Sequence, residues 1–190
     1  LAIPVVLYGN RNFDDGLMEL KNVMRDNGFM PVAAGAFVGE HSFSTILGAG
    51  RPDADDMALL DELAHKAAEK VKGLTQAPTQ AVEVEGCDPI RPYYTPRDRH
   101  GEPIKDFLKA KPKTDPDKCV KCGLCARLCP MGSIDPNDVS NVVGKCIKCC
   151  ACVKKCPKGA KYFDHEGYLY HQHELEDQYA GRRAPSKIFL

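Results

Sequence analysis

The chain has 190 residues, a length that suits one large or two small domains. Its 26 basic and 26 acidic side chains cancel, which argues against a nucleic-acid binder and against an acidic tail protein. A mean hydropathy of −0.36 and the lack of any long apolar run leave no segment that reads as a membrane span.

The ten cysteines are unevenly placed: none precedes Cys87, and nine lie between Cys119 and Cys156. A secreted disulfide scaffold would spread them along a short chain. Leu1 to Gly9 has neither a basic n-region nor a small-residue cleavage site. A reducing cytoplasm is the expected compartment.

The first piece is residues 1–73. Ile3 to Tyr8 is a short apolar run closed by Gly9 and Asn10, and it reads as a strand buried on both faces. Asp14 and Asp15 offer an N-cap and a negative first turn. Leu17, Leu20, Val23 and Met24 follow at helical spacing, and Gly28 stands where a C-terminal glycine belongs. Val32 to Val38 reads as a second strand. Asp53 caps a second helix, with Met57, Leu60, Ala64, Ala67 and Val71 as its apolar stripe. Strand, helix, strand, helix implies a parallel α/β unit with a right-handed crossover. Two strands are too few for a sheet covered on both faces. The piece therefore reads as the C-terminal half of a doubly wound domain, its other strands expected from residues ahead of Leu1 or from a partner chain.

Residues 74–113 form a Pro-rich connector, with Pro78, Pro89, Pro92, Pro96, Pro103 and Pro112. Such a segment is expected to lie on a surface, with a short helix at 104–110. Residues 114–166 carry the cysteine runs. Residues 167–190 read as a helix and an apolar anchoring end, Ile188-Phe189-Leu190, packing back on the protein.

Cys119, Cys122, Cys125 and Cys129 are spaced C-x2-C-x2-C-x3-C, with Pro130 next. Cys146, Cys149, Cys152 and Cys156 repeat the spacing 27 residues on, with Pro157 next. This is the run of bacterial ferredoxins that hold two 4Fe–4S clusters. Three thiols spaced two residues apart wrap one cuboidal cluster, and the following turn of helix carries the fourth to the other. The first cluster is thus assigned to Cys119, Cys122, Cys125 and Cys156. The second is assigned to Cys146, Cys149, Cys152 and Cys129. Zinc would favour two separated C-x2-C pairs around one ion, which fits badly. Cys150 breaks the spacing and reads as a free thiol or packing residue, and Cys87 as a surface or packing one. Val120, Leu124, Ile134, Ile147 and Val153 are expected to shield the clusters.

Eight basic and two acidic side chains lie between Cys119 and Phe163, against seven basic and eleven acidic in the first 73 residues. That contrast could favour docking of the two parts, or reflect two solvated surfaces. Gly48 to Arg51 follows no strand and lacks the Lys-Ser/Thr ending of a phosphate loop.

Ligands of open α/β sheets sit beyond the carboxyl ends of the strands. Tyr8 to Asp14 and Gly39 to Ser44 leave those ends here. Asn10 and Arg11 could bond a polar ring edge, and Tyr8, Phe13 or Phe43 could stack on a flat ligand. Ordinary turns would explain the same residues, and His41 alone reads as a loop hydrogen-bonder.

Val5 to Asp15, Gly39-Glu40-His41-Ser42-Phe43-Ser44, Gly50-Arg51-Pro52 and the Arg182-Arg183…Ile188-Phe189-Leu190 ending resemble a fusion family common in anaerobes. Its members join a flavodoxin-like domain to a two-cluster ferredoxin. The resemblance covers essentially the whole chain. It implies FMN held by Tyr8, Gly9, Asn10, Arg11, Phe13, Glu40 and His41, and electron transfer between FMN and two 4Fe–4S clusters. The Ser/Thr- and Gly-rich phosphate loop of such domains has no counterpart before Tyr8. The leading expectation is an electron-transfer iron–sulfur flavoprotein with redox partner proteins. The alternatives are a flavin-free carrier or electron-input subunit, and a redox sensor acting through the apolar tail.

Overall fold

The computed structural model describes residues 1–190, which divide into two compact units. The first comprises residues 1–41, 46–93 and 179–190, and the second residues 42–45 and 94–178. No helix is long and apolar enough to cross a membrane.

In the first unit, β1 (Val5–Tyr8) and β2 (Ala34–Val38) pair in parallel, Val5 opposite Gly35 and Tyr8 opposite Val38. Helix α1 (Gly16–Asp26) connects them, as the apolar spacing of Leu17 and Leu20 predicts. Gly28 takes a φ of 84°, the left-handed geometry that ends a helix at low steric cost. The sheet is not the expected half of a doubly wound parallel one. Its third strand is β5 (Lys187–Phe189) from the C-terminal tail, which pairs antiparallel with β2 in the order β1-β2-β5. β2 therefore lies in the centre and is buried along its length, whereas β1 is an edge. The expectation of a β1 buried on both faces fails for the same reason: Val5 and Leu7 are exposed.

One face of this sheet packs Leu17, Ala34, Ala36 and Val82 with Val6, Phe13, Val84 and Phe189. Val82 and Val84 come from the connector, so that segment covers a sheet face. Its anchor is Asp15. Asp15 makes no side-chain cap to α1; its carboxylate instead accepts from the backbone N–H groups of Cys87 and Arg91 and pairs with the Arg91 guanidinium at 2.6 Å. The guanidinium holds that carboxyl well below the usual range.

The other face packs Ala33, Phe37, Leu63 and Ala67 with Leu59, Leu60 and Ile188. Leu59, Leu60, Leu63 and Ala67 belong to α2 (Ala54–Lys72), capped by Asp53 and Asp56 in a reciprocal capping box. The buried stripe is rotated from the expected one: Met57, Ala64 and Val71 face solvent, and Asp56 turns inward. The cause is a buried ion pair. Arg51 donates through Nε and Nη2 to the Asp56 carboxylate, and its Nη1 donates to the Ala184 carbonyl at 3.2 Å. Asp56 also accepts from the Ser186 hydroxyl at 2.6 Å, and that hydroxyl accepts from the Val38 N–H at 3.1 Å. The pair thereby fixes helix, central strand and tail together.

Removing one partner of a buried pair strands the other charge. Asp56→Ala is expected to lower stability by about 3–5 kcal/mol in anaerobic urea denaturation at pH 7. The hydrogen-bonded Arg51 guanidinium depresses the Asp56 carboxyl in the folded chain. The contribution is therefore complete above the ordinary carboxylate pKa of about 4 and fades as pH falls through the lower folded value. The gap between wild type and variant should narrow below pH 4; a gap that widens there would contradict this assignment.

Candidate metal centre

The second unit is built mainly from irregular backbone. β3 (Lys113–Thr114) pairs antiparallel with β4 (Lys161–Tyr162), and Ile134 bridges Val142 in the same sense. Two short helices, α3 (Leu124–Leu128) and α4 (Ala151–Lys154), carry Cys125 and Cys152. Helix α5 (Glu166–Tyr179) follows, and the helix expected at 104–110 is a single 3-10 turn, Phe107–Lys109.

The 27-residue repeat is also a repeat of backbone conformation. Lys121 and Lys148 have φ of 52° and 57°, Gly123 and Cys150 of 70° and 55°, Gly132 and Gly159 of 57° and 59°. These left-handed residues bend each run back so that successive thiols face one centre. At Cys129 the chain leaves the helical region (φ −71°, ψ 110°), and Pro130 cannot continue it.

The eight repeat cysteines line two cavities. Cys119, Cys122, Cys125 and Cys156 line one of about 370 Å3. Cys129, Cys146, Cys149 and Cys152 line the other, of about 380 Å3. All ten cysteines are free thiols. No group of three or more His, Cys, Asp or Glu side chains converges on a single metal ion; each thiol set surrounds a volume instead. Neither lining includes an acidic residue, while Lys121, Lys158 and Lys161 line the first and Lys145 the second. Thiolate donors around an acid-free volume suit an anionic iron–sulfur cluster.

Backbone N–H groups supply the supporting hydrogen bonds. Ser133 donates to the Cys129 sulfur at 3.4 Å, Ala160 to Cys156 at 3.2 Å, and Lys148 to Cys146 at 3.4 Å. Ser133 and Ala160 are equivalent in the repeat, each following its left-handed glycine. Burial pushes the Cys156 thiol up, but backbone N–H groups of Lys158, Ala160, Lys161 and Gly159 outweigh it and hold the thiol below its ordinary value. Cys152 lacks that support, and burial pushes it up to about 12. Of the expected shielding residues, Ile134 is buried, and Leu124 and Val153 are half-buried. Val120 and Ile147 are more than half exposed, so they rim the cavities at the surface.

Cys150 also lines the second cavity, but its sulfur faces the Tyr168 hydroxyl at 3.2 Å and the Lys148 carbonyl at 3.4 Å. Burial pushes its thiol up to about 11. It occupies the position of Gly123 in the first repeat and belongs to the aromatic core of Phe163, Tyr168, Phe107 and Phe43. Phe163 and Tyr168 stack with ring centroids 4.2 Å apart. Nothing in the sequence linked Tyr168 to the cysteine run. Cys87 is exposed.

The expected flavin residues Tyr8, Gly9, Asn10, Arg11, Phe13, Glu40 and His41 all lie in the first unit. A Cβ at Gly9 would stand 2.4 Å from the His41 ring, so the loops after β1 and β2 do meet. The side chains have other work. Asn10 is 2% exposed; its Nδ2 donates to the carbonyls of Tyr179 and Arg182, each at 2.9 Å, and its Oδ1 accepts from the Ala184 N–H at 3.0 Å. Arg11 pairs with Asp14, Tyr8 packs edge-on against Phe13, and Glu40 accepts from the Gly50 N–H at 3.4 Å. Asn10 is thus a brace for the tail and does not fit as a donor to a flavin ring edge. Its partners lie about 170 residues away, beyond the reach of a local motif.

Among protein families, the 4Fe-4S dicluster domain matches residues 111–157. The chain therefore carries a ferredoxin-type 4Fe–4S domain, and an iron–sulfur electron carrier is the class that this domain defines. No curated protein matches the chain.

Because Cys150 bonds Tyr168 in the protein core, Cys150→Ala is expected to leave bound iron per chain unchanged. It should lower stability by about 1–3 kcal/mol, since the Tyr168 hydroxyl loses that partner. Iron quantified beside a denaturation midpoint checks both, and loss of iron would make Cys150 a ligand.

Proposed function

We propose that the chain is an electron carrier with two 4Fe–4S clusters. Cys119, Cys122, Cys125 and Cys156 hold one, and Cys146, Cys149, Cys152 and Cys129 the other. The observation that carries this reading is the sorting of eight thiols into two cavities, each taking three from one repeat and one from the other. Each bound cluster supplies one-electron chemistry. The chain's own residues ligate, donate N–H bonds to sulfur and limit solvent. Cys122 is the exposed thiol of the first set, and Val120 beside it is 60% exposed. That rim is where a redox partner protein would approach, in the cytoplasm on this reading. The open edge of β1 is where a further strand, from another segment or a partner chain, would pair.

A second reading adds FMN in the first unit, as the resemblance to flavodoxin–ferredoxin fusions implies. What favours it is the close approach of Gly9 to His41. The engagement of Asn10 and Arg11 within the protein favours the flavin-free carrier or electron-input subunit.

Anaerobically purified protein is expected to yield about eight iron atoms per chain and no released flavin. One flavin per chain would overturn the flavin-free part alone, and about four iron atoms the two-cluster part. Cys129→Ala should damage the cluster held mainly by the second repeat; selective damage to the first-repeat cluster would reverse the assignment.

A further inference from the structure

The two halves of the second unit share spacing and backbone, so the places where equivalent positions differ in charge stand out. One of them faces a cavity. Ile134 and Lys161 are 27 residues apart and equally buried, each 3% exposed. Ile134 lines the second cavity and Lys161 the first. The Lys161 ammonium donates to the Val139 carbonyl, and Val139 lines the same cavity. Its backbone N–H supports the Cys156 sulfur. A lysine is almost never this buried without a compensating charge, and its ammonium donates to a neutral carbonyl. The Asp138 carboxyl feels its charge without forming an ion pair with it, and an anionic cluster beside Lys161 would supply a closer compensating charge.

We propose that Lys161 is a positioning charge that raises the reduction potential of the first-cavity cluster. This inference rests on the two-cluster reading. Reduction adds one negative charge to a cluster that is already anionic. A fixed positive charge in a low-dielectric wall stabilises the reduced state more than the oxidised one. Ile134 offers the second cluster no such charge. Lys145 lines that cavity but is exposed, and the buried Lys148, 8% exposed, does not line it, its ammonium donating to the carbonyls of Leu108 and Cys146 at 3.0 and 3.5 Å. The repeat partner of Lys148, Lys121, is exposed. The Lys161 charge also acts on Cys152, so the second cluster would feel it in the same direction. The pseudo-symmetric pair of clusters thereby becomes an ordered one. An electron entering from a low-potential donor settles on the first-cavity cluster, beside the exposed Cys122.

The test is an anaerobic titration with dithionite, followed through the paramagnetically shifted cysteine β-proton resonances, which report each cluster separately. Lys161→Met, close in volume and neutral, is expected to lower the first-cavity potential by about 59 mV, a tenfold change in a one-electron equilibrium. The second cluster should shift less. Lys161→Arg keeps the charge and should hold both potentials near wild type. Lys121→Met serves as the exposed control. A Lys161→Met shift no larger than that of Lys121→Met would overturn the proposal. So would a Lys161→Arg shift as large as that of Lys161→Met, because packing rather than charge would then be responsible. Iron content on the same samples separates this from the underlying reading: four atoms in the wild type would sink both, whereas eight atoms with unmoved potentials would sink this inference alone.

Discussion

The second unit depends on a backbone constraint. At three pairs of positions, 27 residues apart, the chain takes the left-handed conformation, and at each it turns a thiol-bearing segment back on itself. Glycine accepts that geometry freely at 132 and 159, whereas Lys121, Lys148 and Cys150 each carry a Cβ against a cost of about 1–2 kcal/mol. Short helices and two-residue strands bury too little apolar surface to set such turns by packing. Around them thiols, N–H groups and a few apolar residues meet at two cavities, and bound metal would add its own folding free energy to that framework.

In the first unit the comparable constraint is the return of the tail. β5 completes the sheet, and its approach is fixed by polar groups buried at the sheet's carboxyl end: Asn10 holds residues 179–184, and the Arg51–Asp56 pair holds Ala184 and Ser186. The same groups explain two features that would otherwise look like functional signals. Asn10, in a loop where a ligand donor was expected, is satisfied by backbone carbonyls. Asp56, a charged residue on the inward face of α2, is there for Arg51.

The repeat is most informative where it fails. Gly123 is replaced by Cys150, whose Cβ and sulfur fill space against Tyr168 and extend the aromatic core of that half. Ile134 is replaced by Lys161, which puts a charge where the other half has a methyl group. A duplicated motif makes two equivalent sites, and directional electron flow needs them to differ. On the proposed two-cluster reading, substitutions at cavity-facing positions would create that difference without altering the ligands.

The thiol runs of the second unit are legible in the amino-acid sequence alone. Cysteine spacing is local, and a repeated run of twelve residues ending in Cys-Pro specifies thiol geometry wherever the run is placed. Also legible there are the α1 and α2 segments and the parallel pairing of β1 with β2, because apolar periodicity and caps act within a few residues. The third strand, the inward face of α2, the partners of Asn10 and Asp15, and the burial of Lys161 emerge in the folded chain alone. Each of these joins residues far apart in the chain. Their side chains have the same composition whether they meet solvent, a ligand or one another, and only the fold selects among those partners.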